Sequence, residues 1–289
     1  MFSPFIYIVL NYCKKVSIII TYFYFLNIKV FIFRKKYILI ILAILILVIC
    51  FIPKNNFTLA LSLSNSEVLN SSFKDKFNSL YRSNEKNVYL TFDDGPTTKV
   101  TPKILDILKK ENVKATFFVV GKHVKEHPEI VKQAYEEGHF IANHGYSHNN
   151  SLLYKDEESF RNEILNTDIE ISKAIGVSDY CSHVFRFPNG FASPNYKYKK
   201  KNIVNVLTEI NYVYVDWNCL NKDSEQRLSN YQLLNNLKKS AKGKGTLIVL
   251  MHDTGDVNNT YDVLQDSIKY LKDCGYIFKN FYELFNEDL

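Results

Sequence analysis

The chain has 289 residues, 46% hydrophobic, 15% aromatic and 23% charged. That charge content excludes both a wholly disordered chain and a polytopic membrane protein. The formal charge is +6, but residues 1–54 hold seven basic side chains and no acidic one, leaving 29 positive against 30 negative charges in the rest. A nearly neutral body is not that of a nucleic-acid-binding protein.

Residues 37–52 read YILIILAILILVICFI, sixteen apolar positions without a charge. As a helix at about 1.5 Å per residue this run spans ~24 Å, a little short of a ~30 Å hydrocarbon core. Arg34-Lys35-Lys36 precedes it directly. A basic flank stays on the cytoplasmic side, so the segment is expected to be a single-pass anchor in the cell membrane with the remaining chain outside. The competing reading is the core of a cleaved signal peptide, which would make the body secreted; no small-x-small site directly follows the run. Residues 1–36 form a further apolar and basic segment without an assignment. Residues 53–87 read as a polar stalk, rich in Ser and Asn, with helical character around 73–81. Cys181, Cys219 and Cys274 in the body are odd in number and lack CxxC spacing, which points to free thiols.

From residue 88 to the C-terminus, short β-branched and aromatic runs alternate with helix-period segments. Strands are expected at 88–92, 115–120, 139–143, 183–187, 212–216 and 246–251. Helices are expected at 101–111, 129–137 and 157–175, and near 197–210, 229–242 and 260–273. Thr101 with Pro102 reads as one helix start and Asp156 as the cap of another. This alternation defines one α/β domain at 88–289, either an open doubly wound sheet or a barrel.

Polar residues follow the apolar strands with unusual regularity. Asp93-Asp94-Gly95-Pro96 follows the first, His144 the third, and Asp216-Trp217 and His252-Asp253 two later ones, while Arg186 lies within another. In parallel α/β folds the C-terminal strand ends share one face, where active sites are built. His144 and His148, four residues apart, can turn two imidazoles toward one ion, and Asp94 would complete a His₂-carboxylate set suited to catalytic Zn²⁺. His123 and His127 have the same spacing but no neighbouring carboxylate cluster, and read as a surface helix pair. The other carboxylate, Asp93, would then be free to act as a base, with Arg186 as its counter-charge.

Five blocks, in order and spacing, resemble the signature of NodB-like polysaccharide deacetylases, carbohydrate esterase family 4. They are Thr91-Phe92-Asp93-Asp94-Gly95-Pro96, Asn143-His144-Gly145-Tyr146-Ser147-His148, Arg186-Phe187-Pro188-Asn189-Gly190, Asp216-Trp217 and Leu250-Met251-His252-Asp253. The resemblance implies a distorted (β/α) barrel and metal-dependent removal of N-acetyl groups from a glycan, peptidoglycan being the substrate that an anchor favours. It implies Asp93 as general base, Asp94, His144 and His148 as metal ligands, and Arg186 as the residue that holds Asp93. It further implies His252 as general acid tuned by Asp216, Trp217 and Leu250 as walls of the acetyl pocket, and a backbone N–H near Asn189 as oxyanion donor. Gly145 stands where many relatives carry a loop-stabilising hydroxyl, and Asn189 where an aromatic is common. Two other classes stay open: a glycoside hydrolase with two separated carboxylates, and a non-catalytic glycan-binding protein on the same fold.

Overall fold

The computed structural model describes residues 71–286 except Asp256 and Asn259. The expected anchor at 37–52, the segment before it and most of the expected stalk lie outside the described residues. Among the described residues, no helix is long and apolar enough to cross a membrane.

The chain begins with α1 (Ser71–Leu80), β1 (Asn87–Asp93), α2 (Thr101–Glu111), β2 (Thr116–Val119), α3 (Gly121–Glu126), α4 (Pro128–Glu136) and β3 (Phe140–Asn143). It continues through α5 (Asn150–Leu153), α6 (Glu157–Ile175), β4 (Val184–Phe185), α7 (Lys197–Ile203), α8 (Asn205–Glu209), β5 (Val213–Tyr214) and β6 (Cys219–Leu220). The last elements are α9 (Asn230–Ala241), β7 (Leu247–His252), α10 (Tyr261–Asp273), β8 (Ile277–Lys279) and α11 (Tyr282–Asn286).

All the strand ladders are parallel, in the order β5-β4-β3-β2-β1-β7-β6. β8 pairs with the first half of β1, and β2 with its second half. No ladder joins β5 to β6 among the described residues, so the expected barrel is realised as a half-barrel.

Side chains alternate along β1. Val88, Leu90 and Phe92 pack outward beneath the helices, with Ile104, Leu108, Leu264 and Ile268. Tyr89 faces the interior with Phe118, Phe140, Ile248 and Phe281. Thr91 and Asp93 share the parity of Tyr89, so the same alternation delivers the first Asp of the pair into the barrel mouth. At the other end of β1, α1 closes the interior: Phe77 and Leu80 are buried there, and the Phe77 and Phe281 rings meet edge-on at 5.1 Å. The compact domain therefore includes α1, upstream of the start expected at 88.

Expected elements recur within a few residues of their sequence positions. β6 and β8 are additions. One has two residues, and the other exposes Ile277 at its start, so neither offers an alternation long enough to read. Asp156 caps α6 as expected, accepting from the Ser159 amide at 2.8 Å. Thr101 does not cap α2; its hydroxyl instead donates to Asp253 at 2.7 Å. Cys181, Cys219 and Cys274 are free.

Candidate active site

The central pair of strands sets the catalytic geometry. β1 and β7 run in register with Asp93 opposite His252, so a carboxylate and an imidazole stand at one level on adjacent strands. Both residues line a groove of about 400 Å³ at the C-terminal strand ends, together with Asp94, His144, His148 and Trp217.

Asp94 escapes the strand alternation through its own backbone, at φ 78°. A non-glycine residue in that region costs on the order of 1–2 kcal/mol and needs a surrounding structure that enforces it. The enforcement is visible. The Asp94 amide donates to the Phe118 carbonyl at 3.2 Å, and its carbonyl meets Nδ1 of His123 at 2.8 Å. His123, expected on an open helix surface, is instead half-buried beneath this turn. On the next residue, a Cβ at Gly95 would fall 2.0 Å from the Asp253 carboxylate, so only glycine lets these segments meet.

Asp94 Oδ1 lies 3.1 Å from Nε2 of His144 and 3.0 Å from Nε2 of His148. His144 Nδ1 is 2.7 Å from the Arg186 carbonyl. A carbonyl only accepts, so the neutral imidazole carries its proton on Nδ1 and turns a lone pair toward Asp94. Asp94 Oδ1 is correspondingly buried without a hydrogen-bond partner. Two imidazole nitrogens converging on an orphaned carboxylate oxygen fit a bound cation, and these three residues are the only such group among the described residues.

The loop that carries the two histidines is held on both edges. Gly145 sits at φ 83°, where a β-substituted residue would be strained. Its amide donates to Asn143 Oδ1 at 2.9 Å, and the Tyr146 and Ser147 amides both donate to Glu163 Oε2 at 2.8 Å. Amides at the start of α3 take the Gly145 and Tyr146 carbonyls. Glu163, which sequence reasoning missed, supplies the restraint that the hydroxyl absent from position 145 does not.

Arg186 is fully buried in the barrel mouth. One guanidinium nitrogen donates to Asp93 Oδ1 at 2.8 Å and to Thr91 Oγ1 at 2.6 Å; Nε reaches the Val215 carbonyl at 3.0 Å. The guanidinium lies 4.0 Å over the Phe118 ring. A buried ion pair is tolerated only when its remaining donors are satisfied, as they are here.

His252 has a different partner from the one expected. Its Nδ1 lies 2.8 Å from Asp223 Oδ1, and its amide donates to Asp223 Oδ2 at 2.8 Å. Asp216 instead accepts the Phe191 and Ala192 amides at 2.8 and 3.0 Å. Strand order explains the exchange. Asp216 follows β5 at the far edge of the sheet, whereas β6 pairs with β7 and brings the following Asp223 beside His252. Burial pushes the His252 imidazole down, yet Asp223, with Asp94 and Asp93 behind it, raises it to about 9. Asp223 is visible in the sequence as an aspartate shortly after an apolar pair, but β6 is too short to mark it. Asn189, Trp217 and Leu250 line the groove as expected.

A parallel half-barrel whose groove gathers a two-histidine, one-carboxylate group, an arginine-tethered carboxylate and a carboxylate-paired histidine is the arrangement that metal-assisted hydrolysis would require. The polysaccharide deacetylase family profile matches residues 81–215. The chain is 36% identical over 194 residues to a peptidoglycan-N-acetylglucosamine deacetylase of Bacillus cereus, covering 66% of each chain. It is 33% identical over 219 residues to the peptidoglycan-N-acetylmuramic acid deacetylase PdaA of Bacillus subtilis, covering 75% of this chain and 79% of that one. Among solved structures, the catalytic domain of a peptidoglycan N-acetylglucosamine deacetylase from Eubacterium rectale superposes with TM-score 0.61 at 30% identity, over 68% of this chain and 88% of that one. A CE4 family pseudoenzyme from Bacillus anthracis matches at 29% identity and TM-score 0.59, over 71% of this chain and 66% of that one. The chain belongs to the polysaccharide deacetylase family, a family of hydrolases.

Proposed function

We propose that this protein is a metal-dependent N-deacetylase that removes acetyl groups from an extracytoplasmic N-acetylated glycan, with peptidoglycan as substrate. The observation that carries the reading is the convergence of Nε2 of His144 and His148 on Asp94 Oδ1, beside a separately held Asp93. Since the family includes a pseudoenzyme, membership alone does not carry activity; the complete set of ligands, base and acid does.

A divalent ion on Asp94, His144 and His148, Zn²⁺ by the donor set, would polarise both a water and the acyl carbonyl. Asp93, oriented by Arg186, removes the proton from the attacking water. The oxyanion is received near Asn189, whose backbone N–H has no acceptor among the described residues. His252, held protonated by Asp223, delivers a proton to the departing amine, and Trp217 and Leu250 bound the space for the acetyl methyl. Two adjacent carboxylates with one committed to imidazoles do not provide the separated pair that glycoside hydrolysis needs.

The location reading rests on the basic-flanked apolar run at 37–52 and on relatives named for action on peptidoglycan. A single-pass anchor there would keep the groove near the wall. Purified full-length protein, chelated and then resupplied with zinc, is expected to release acetate from peptidoglycan in preference to chitin oligomers, and Asp93→Asn to abolish release. Zinc-independent release would overturn metal dependence. Binding of glycan with no release would establish the non-catalytic alternative.

A further inference from the structure

The segment from Phe187 to Ser193, between β4 and α7, forms the lip of the groove beside Asn189. Asn189 and Gly190 both adopt left-handed backbone, at φ 64° and 75°, and the segment belongs to no strand ladder. Its backbone groups are nevertheless engaged one by one. Tyr154 donates its hydroxyl to the Pro188 carbonyl at 3.1 Å, and the Gly190 amide reaches the Phe187 carbonyl at 2.7 Å. The Lys200 ammonium donates to the Gly190 carbonyl at 2.5 Å and to the Ser193 carbonyl at 3.2 Å. Asp216 takes the next two amides, one on each carboxylate oxygen. Of the amides from 189 to 192, only that of Asn189 is left without an acceptor among the described residues.

Lys200 belongs to the Lys197–Lys201 run, which composition alone assigns to a solvated helix face, yet it is 1% exposed. Burying an ammonium is costly unless it is well paired. Burial pushes Lys200 down, and the Asp216 charge opposes that. Gly190 also packs so closely on Trp217 that a Cβ there would lie 2.8 Å from the indole. A cation grips the carbonyl edge of the segment, an anion grips its amide edge, and the Trp217 ring supports it.

We propose that Lys200 and Asp216 are positioning residues that together fix the 189–192 backbone, so that the Asn189 N–H is presented to the developing oxyanion. The proposal rests on the deacetylase reading for its catalytic half only; the clamp itself is a statement about this backbone.

The test uses the full-length, zinc-supplied protein and the variants Lys200→Met, Lys200→Arg, Asp216→Asn and the Lys200→Met/Asp216→Asn double. Acetate release from N-acetylglucosamine oligomers, zinc affinity and amide hydrogen exchange at Phe191 and Ala192 are measured in each. Removing one oxyanion donor outright costs about 10²–10³ in kcat, so a loosened donor is expected to cost roughly tenfold to a hundredfold. KM and zinc affinity should stay within about twofold, and exchange at the two amides should rise. Lys200→Arg should recover part of kcat, and the double variant should be no worse than the poorer single one, as expected for residues acting through one segment. Unchanged kcat with accelerated exchange would overturn the catalytic half, and unchanged exchange in both single variants would overturn the clamp. A fall in zinc affinity parallel to kcat would also overturn the proposal, since it would reveal a general loosening of the site. If the wild type releases no acetate from any glycan, the deacetylase reading and the catalytic half fall together, and the exchange arm alone decides the clamp.

Discussion

Arg186 serves two functional residues at once: its carbonyl lies 2.7 Å from His144 Nδ1, while its guanidinium holds Asp93 at 2.8 Å. One residue thereby fixes the tautomer of His144 through its backbone carbonyl and the orientation of Asp93 through its side chain. A substitution at position 186 acts on the second tie and leaves the first in place.

Replacing Arg186 with Met would leave Asp93 buried without its counter-charge and empty the space above Phe118. Breaking a buried pair on one side costs about 3–5 kcal/mol. Urea unfolding of Arg186→Met should show a stability loss of that order, and Arg186→Lys a smaller one, since it keeps the charge but not the guanidinium fork.

Zinc should stabilise the folded chain by about 2.7 kcal/mol at a hundred times its Kd. Thermal unfolding with and without zinc checks this. The shift should persist in Asp93→Asn, which leaves the three ligands in place, and vanish in Asp94→Asn and His144→Ala. Activity should be lost in all three.

Asp223→Asn is expected to lower kcat about 10–100-fold, the usual cost of losing a histidine's supporting carboxylate. The raised His252 pKa, about 9, is held up chiefly by Asp223. A general acid works below its pKa, so removing that support should move the alkaline limb of the kcat profile to lower pH. Asp216→Asn should leave that limb where it is, which separates the two aspartates in one pH series.

Glu163→Ala removes the carboxylate that receives the Tyr146 and Ser147 amides. The loop between His144 and His148 then loses one of its two restrained edges. Zinc affinity by competition titration should weaken about 10–100-fold.

Residues that lie on or directly after a central strand are the ones whose meeting in one groove is legible in the sequence. Asp93, Asp94, His144 and His252 follow apolar runs long enough to recognise, and parallel strands with short connections place their C-terminal ends together without further information. The partner of His252 is not legible because β6 has only two residues, so nothing in the sequence marks Asp223 as standing beside β7 rather than Asp216. The burial of Lys200 is hidden for a related reason. A lysine run has one composition whether its ammonium groups meet water or carbonyls.

By itself, then, the sequence determined the α/β class and the gathering of Asp93, Asp94, His144 and His252 at one face, because alternation and strand-end placement are local properties of the chain. Only the tertiary structure decided which aspartate pairs with His252, that Glu163 braces the loop between His144 and His148, and that the sheet forms a half-barrel with α1 plugging its lower end. Those outcomes depend on which distant segments become neighbours. Hydrogen-bond partners across a barrel are set by strand order and packing, and neither is written in the spacing of residues along one strand.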